Sequence, residues 1–273
     1  MASSVVFPLH WTSIFQSPSA ASAPSAAEQP RLGVDFVQAS APEVSIPLVF
    51  SSSAAAEGPD ADVVTIRQNL STFGIAGVVW DCARALVAFG QRQPSLLAHK
   101  RVLELGAGTG AVGLALALSV DGGLASLVLT DLEAVVPLTA DNVRSTALCH
   151  ARLRDLLARN ALTTLSFCWG DALPQCVVDA TADVVLCSDC LYEPSQYANL
   201  LASLLALTNW QADDGTRPVI VLIAYKQRMP VRERAFFESA VAFFDVAVAR
   251  VDSAASRDGV FVCQLTRSSA LPT

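Results

Sequence analysis

A chain of 273 residues, 52% hydrophobic and 16% charged, is long enough for one large α/β domain with a tail and rich enough in apolar side chains to bury a core, which excludes a mainly disordered or fibrous protein. Eighteen Lys and Arg against 25 Asp and Glu leave a formal charge of −7, so the phosphate attraction that drives nucleic-acid binding has no global support. The mean hydropathy of +0.45 reflects core rather than membrane, because apolar stretches such as Ala111 to Leu118 stop far short of the roughly 20 residues a bilayer span needs.

Residues Ser17 to Ala27 are all Ser, Ala or Pro, so residues 1–30 read as a disordered tail, and the lack of any Lys or Arg before Arg31 argues against a targeting peptide. Residues 31–69 carry short alternating runs, Val34 to Val37, Val44 to Phe50 and Val63 to Arg67, which predict a small β element. The main domain is expected over 70–268. Strands are expected at 101–105, 126–130, 164–168, 183–187 and 219–224. Helices are expected at 109–118, 133–159 in one or two pieces, 194–207 and 231–243. This alternation predicts right-handed crossovers and a mostly parallel sheet covered on both faces. The chain closes on two strands, 244–251 and 260–266, joined by a turn containing Asp258-Gly259, so the last pair is expected to be antiparallel.

The seven cysteines are odd in number and scattered through apolar segments, the usage of reduced thiols in an intracellular protein. Cys187 and Cys190 form a CxxC. No second ligand pair exists for it, and His10, His99 and His150 lie at no ligand spacing, so no metal site is expected.

The strongest local signal is Val102-Leu-Glu104-Leu-Gly106-Ala107-Gly108-Thr-Gly110, a strand running into a glycine-rich turn and a helix. Such a turn lets a ligand lie against the backbone at the carboxyl end of a parallel strand, so a cofactor belongs there. Gly108 to Gly113 also spells GxGxxG, which leaves a dinucleotide open. The next strand ends at Asp131, at the spacing of a carboxylate that accepts from both hydroxyls of a ribose; its structural alternative is the cap of a helix starting near Glu133.

Three further segments carry a resemblance. Gly74-Ile-Ala-Gly-Val-Val-Trp80-Asp81, Trp169-Gly170-Asp171 and Ser188-Asp189-Cys-Leu-Tyr192-Glu193, with Val64 to Gln68 and Ala224 to Arg228, resemble the protein-lysine methyltransferases of methyltransferase family 16. These are seven-β-strand, class I S-adenosylmethionine-dependent enzymes, and the likeness covers about residues 62 to 267. It implies a Rossmann-like α/β fold, a seven-stranded sheet of order 3-2-1-4-5-7-6 with strand 7 antiparallel. It also implies methyl transfer from S-adenosylmethionine to a lysine ε-amine of a protein substrate.

Carried over position by position, Trp80 lines the methionine end of the cofactor, and Glu104, Gly106, Ala107 and Gly108 surround its amino acid and ribose. Asp131 and Leu132 hold the ribose and the adenine edge, Trp169 packs beside the adenine, and Ser188 completes the cofactor set. Asp189 and Tyr192 are the implied catalytic residues: the carboxylate attracts and orients the lysine ammonium, and the ring narrows the channel. Capping of a helix near Pro194 is the structural alternative for Asp189. Cys-Leu stands where amide and nucleobase methyltransferases carry Pro-Pro, and the basic run from Arg228 to Arg234 reads as a solvated helix face. No nucleic acid, no membrane, no metal, a monomer and a cytoplasmic or nuclear location complete the expectation. The rival readings are a methyltransferase of another nucleophile, a catalytically idle cofactor-binding module, and a nicotinamide-dependent oxidoreductase.

Overall fold

The computed structural model describes residues 9–10, 12, 39–48, 63–209, 218–249 and 259–268. In chain order its elements begin with strands β1 (Leu9–His10), β2 (Glu43–Pro47) and β3 (Val63–Arg67), then the short helix α1 (Leu70–Phe73) and α2 (Asp81–Arg92). There follow β4 (Arg101–Leu105), α3 (Ala111–Ser119), β5 (Ser126–Asp131), α4 (Val136–Cys149), α5 (Ala151–Ala158) and β6 (Leu162–Ser166). The second half contains α6 (Gln175–Ala180), β7 (Val184–Ser188), α7 (Tyr197–Thr208), β8 (Ile220–Lys226), α8 (Pro230–Ala240), β9 (Phe244–Ala249) and β10 (Val260–Arg267).

The main sheet runs β1-β9-β10-β8-β7-β4-β5-β6. Counting from β4 as the first strand, the seven strands β4 to β10 follow the expected order 3-2-1-4-5-7-6. The pairs of β4 with β5 and β7, of β5 with β6 and of β7 with β8 are parallel, whereas β10 is antiparallel to both β8 and β9. Leu9 and His10 add a further strand on β9, within the segment that composition marks as a tail. The expected strand at 34–37 and the turn residue Asp258 lie outside the described residues.

Side chains alternate across the central strands. Val102, Val184 and Leu186 enter one core layer with α2, α3 and the β2–β3 pair, while Leu103, Leu105, Val185 and Cys187 enter the other with α7 and α8. All nine residues of α3 are buried, as its uniformly apolar sequence requires. The helical segment expected over 133–159 is two helices broken at His150. Strand β6 begins two residues earlier than expected, because Leu162 pairs with Leu127 and Ser166 with Asp131, leaving Phe167 to Trp169 free to turn back over the sheet's end. Helices α1, α2 and α6 were not among the expected elements.

The β2–β3 pair is joined to the domain by polar contacts as well as by packing. Fully buried Asn142 on α4 accepts from the Arg67 amide at 2.9 Å and donates through Nδ2 to the Arg67 and Thr109 carbonyls at 3.0 and 2.9 Å. One amide side chain thus links β3 to the glycine-rich turn. Asn142→Ala strands three backbone groups and is expected to cost about 2–4 kcal/mol, read as a lower denaturation midpoint.

Candidate active site

The strand order reverses beside β4, the position where open α/β sheets bind ligands beyond the carboxyl ends of their strands. A cavity of about 620 Å³ opens there, and all eleven residues singled out from the sequence line it: Trp80, Glu104, Gly106, Ala107, Gly108, Asp131, Leu132, Trp169, Ser188, Asp189 and Tyr192.

At the inner end, Glu104 on β4 is buried and its Oε2 accepts from the Gly113 amide at 2.8 Å. A Cβ at Gly113 would stand 2.8 Å from that oxygen and 2.6 Å from Leu129, so the third glycine of the GxGxxG spelling makes room for a carboxylate. Burial pushes the Glu104 carboxyl up to about 8, opposed by the Gly113 hydrogen bond and reinforced by the charge of Asp131.

Asp131, at the end of β5, accepts from the Gly108 amide through Oδ2 and from the Leu132 amide through Oδ1, both at 2.7 Å. It caps no helix: residues 133–135 form a turn and α4 starts at Val136. Burial raises its pKa against those two amide bonds. Gly108 has φ +54°, and a Cβ there would lie 2.7 Å from the Ala76 carbonyl, so the segment before α2 closes directly over the turn. The Trp169 ring packs over Gly106, where an added Cβ would meet its Cζ2 at 3.0 Å. Trp80 is fixed by its indole N–H, which donates to the Ile75 carbonyl at 2.8 Å.

The outer end is organised by charge pairing between strand ends. Asp189 follows β7 with φ +57°, an uncommon conformation held by its amide donating to the Ala224 carbonyl at 2.7 Å. Both of its carboxylate oxygens accept from Arg228, Oδ1 from Nη1 at 2.8 Å and Oδ2 from Nη2 at 2.7 Å. This bidentate pair raises the guanidinium's pKa further and consumes the charge expected to attract a lysine.

Arg228 is held in turn by buried Glu233, whose Oε1 accepts from the Arg228 and Met229 amides at 2.7 and 2.9 Å. The run from Arg228 to Arg234 is therefore not a single solvated face. Arg228 turns into the cavity, whereas Arg234 pairs with Glu238 on the exposed side of α8. Asp189 does not cap the helical turn at Pro194 either, because Glu193 accepts from the Ser195 amide there. Tyr192 is half-exposed at the mouth, and burial raises its phenol pKa. Beside the mouth, Lys226 pairs with Asp81 at 2.7 Å.

Cys187 and Cys190 are both buried free thiols, and no group of metal-ligating side chains occurs among the described residues. Arg228 lines the cavity although it was not among the residues singled out for the site; it belongs to the quoted segment Ala224 to Arg228, but its distance of 39 positions from Asp189 hid the pairing.

The family described as lysine methyltransferase matches residues 59–243. The chain belongs to that lysine methyltransferase family. It is similar to protein N-lysine methyltransferase METTL21A of Xenopus tropicalis, 29% identical over 189 residues, with 69% of this chain and 78% of that protein covered. EEF1A lysine methyltransferase 3 of Mus musculus is 33% identical over 142 residues, covering 52% of this chain and 55% of that one. Protein-lysine N-methyltransferase EFM6 of Saccharomyces cerevisiae is 31% identical over 159 residues, covering 54% and 57%. The chain thus spans little more than half the length of the last two.

Proposed function

We propose that the chain transfers a methyl group from S-adenosylmethionine to the ε-amine of a lysine in a protein substrate. The observation that carries this reading is a single cavity with two chemically different ends. The inner end holds Glu104, Asp131 and the Trp169 ring against the glycine-rich turn; the outer end holds Asp189 and Tyr192. Its volume of about 620 Å³ suits a small-molecule cofactor, since such sites run roughly 300–1,000 Å³. An indole face over Gly106 beside a carboxylate suits a purine joined to a ribose, and two carboxyls suit an amino acid's cationic end.

S-adenosylmethionine supplies, when bound, a methyl carbon made electrophilic by the attached sulfonium. Asp131 accepts the two ribose hydroxyls on lone pairs not used by the Gly108 and Leu132 amides, a carboxylate having about four acceptor sites. Trp169 and Leu132 flank the purine. Glu104, with the backbone of Gly106, Ala107 and Gly108, holds the amino-acid portion, and Trp80 and Ser188 border the methionine end. Asp189 and Tyr192 align the amine behind the carbon–sulfur bond and exclude water from it.

Methyl-labelled S-adenosylmethionine incubated with the purified chain and an array of lysine-centred peptides tests the reading. Label on lysine, located by mass spectrometry, is expected; label on another side chain overturns the acceptor class, and tight NAD binding without S-adenosylhomocysteine binding in calorimetry overturns the cofactor.

Glu104 supplies a pH test. With its carboxyl near 8 in the free chain, it is mainly protonated at neutral pH, and the α-ammonium of an amino-acid ligand placed beside it favours the ionised form. Binding therefore releases a proton. Affinity for S-adenosylhomocysteine is expected to rise by up to about tenfold per pH unit below 8 and to level off above it. Glu104→Gln is expected to flatten that dependence in calorimetric titrations.

A further inference from the structure

The geometry points to Arg228 as the residue that keeps the methyl acceptor neutral, by cancelling the charge of Asp189 while leaving that carboxylate in place to orient an amine. This inference rests on the lysine methyl-transfer reading of the cavity and concerns how the same site selects the reactive form of its substrate.

Methyl transfer uses the amine's lone pair. Lysine, with an ordinary pKa near 10.4, presents that lone pair in only about one molecule per thousand at neutral pH. A lone, largely buried carboxylate beside it would hold the ammonium and raise its pKa by roughly 1–3 units, against the reaction. Here Asp189 is not alone. The guanidinium takes two of its lone-pair sites at 2.8 and 2.7 Å and matches its charge, with a pKa too high for the arginine to exchange a proton. The buried Cys82 thiol bonds the same carboxylate, and of its about four acceptor sites one is left to accept an N–H from a neutral amine.

The neighbouring pair repeats the device, since Lys226 at the same strand exit neutralises Asp81 at the start of α2. Two carboxylates from different elements are thus each matched by a cation from the end of β8. Asp81 and Asp189 are each matched by a cation, and Glu193 stands on the exposed rim of the cavity.

The step then balances as follows. The lysine ammonium gives its proton to water on entering. Its nitrogen lone pair forms the new bond to the methyl carbon, the carbon–sulfur bond breaks with its pair left on sulfur, and the positive charge passes from sulfur to nitrogen. The methylated ammonium later returns a proton to solvent. Arg228 touches none of the reacting atoms and is a positioning residue acting through Asp189.

Other titratable groups face the ion pair from each packed element. They are Asp81 and Cys82 on α2, Cys190, Tyr192 and Glu193 beyond β7, Tyr197 on α7, Lys226 at the end of β8, Glu233 on α8, and Asp131 and Glu104 across the cavity. Burial raises Cys82 and Tyr192, and a neighbouring thiol together with burial raises Cys190, so these remain uncharged near neutrality. Tyr197 is pushed up to about 12, and Asp81 is already paired.

The test is a cycle of charge variants on a lysine-centred peptide selected from an array by wild-type transfer. Arg228→Met leaves the carboxylate unmatched and is expected to lower KM and move the alkaline rise of kcat up by about one pH unit or more. Asp189→Asn leaves the guanidinium unmatched and is expected to move it down. The double variant, without either charge, is expected to return it to the wild-type position at reduced kcat.

Calorimetry in two buffers of different ionisation heat gives a readout free of turnover. Wild type loaded with S-adenosylhomocysteine releases more protons on binding the peptide than Arg228→Met does. Should Arg228→Met fail to fold, Asp189→Asn against the double variant still reads the displacement. A purely structural role for Arg228 lowers kcat equally at every pH; that result, or equal displacements in the single and double variants, overturns the inference. Wild-type chain that binds S-adenosylhomocysteine but labels no lysine overturns the acceptor reading itself, and the inference with it.

Discussion

Asp189→Ala is expected to lower kcat for lysine methylation by at least about 10²–10³-fold while leaving the affinity for S-adenosylhomocysteine within a few-fold of wild type. The residue stands at the outer end of the cavity, after β7, where its backbone is held in a left-handed conformation by the Ala224 carbonyl. Its side chain orients the amine, and alanine removes that acceptor without touching Glu104, Asp131 or Trp169. The substitution also strands Arg228. Breaking a fully buried pair costs about 3–5 kcal/mol, and the arginine side chain here retains 27% exposure, so a loss of roughly 2–3 kcal/mol is expected. Thermal unfolding and calorimetry on the same preparation separate that loss from the loss of rate. A variant that folds, binds S-adenosylhomocysteine and methylates at the wild-type rate removes Asp189 from the site chemistry.

Asp131→Ala is expected to act at the other end, weakening S-adenosylhomocysteine binding by about 100-fold or more, since hydrogen bonds to a charged acceptor are each worth about 1.5–3 kcal/mol. The carboxylate serves the ligand and the protein at once, because it also accepts from Gly108 and Leu132 and so shapes the turn on which the cofactor lies. Asp131→Asn keeps one acceptor and is expected to fall between alanine and wild type. The ligand's own ribose supplies the discriminating measurement. A 2′-deoxy analogue of S-adenosylhomocysteine is expected to lose much less affinity on going to Asp131→Ala than the parent does. Equal losses place the contact elsewhere.

The two ends of the cavity differ in how far they were visible in the amino-acid order. At the inner end, the elements are local: a strand, three glycines, a helix, and one acidic residue at the next strand's exit. Each follows from backbone sterics and from the period of apolar residues, which marked Gly108 and Asp131; Glu104 came through the resemblance, and all three line the cavity. Local order also carried the strand sequence and the antiparallel closure by β10. It did less well where packing overrides pattern. Strand β6 took an earlier register to satisfy β5; α2 went unassigned although its buried apolar residues, Cys82, Leu86 and Phe89 among them, recur at helical spacing.

At the outer end, the resemblance implied an Asp189 available to a cation, and the basic run read as a solvated face with Arg228 in it. The folded chain reverses both. Parallel pairing of β7 with β8 brings Ser188 level with Ala224, and the residues just beyond, 39 positions apart, close into a bidentate pair. The same principle applies to Asn142, whose three bonds reach Arg67 and Thr109 across 75 and 33 positions. Amino-acid order by itself determined the crossover pattern and the glycine-rich turn, because those depend on backbone conformation and periodicity over a few neighbouring residues, and it carried the family through the resemblance of its motifs. The charge state of the mouth was decided only by tertiary structure, because neutralisation is a property of distance between groups, and those distances exist only once strand ends remote in the chain lie side by side.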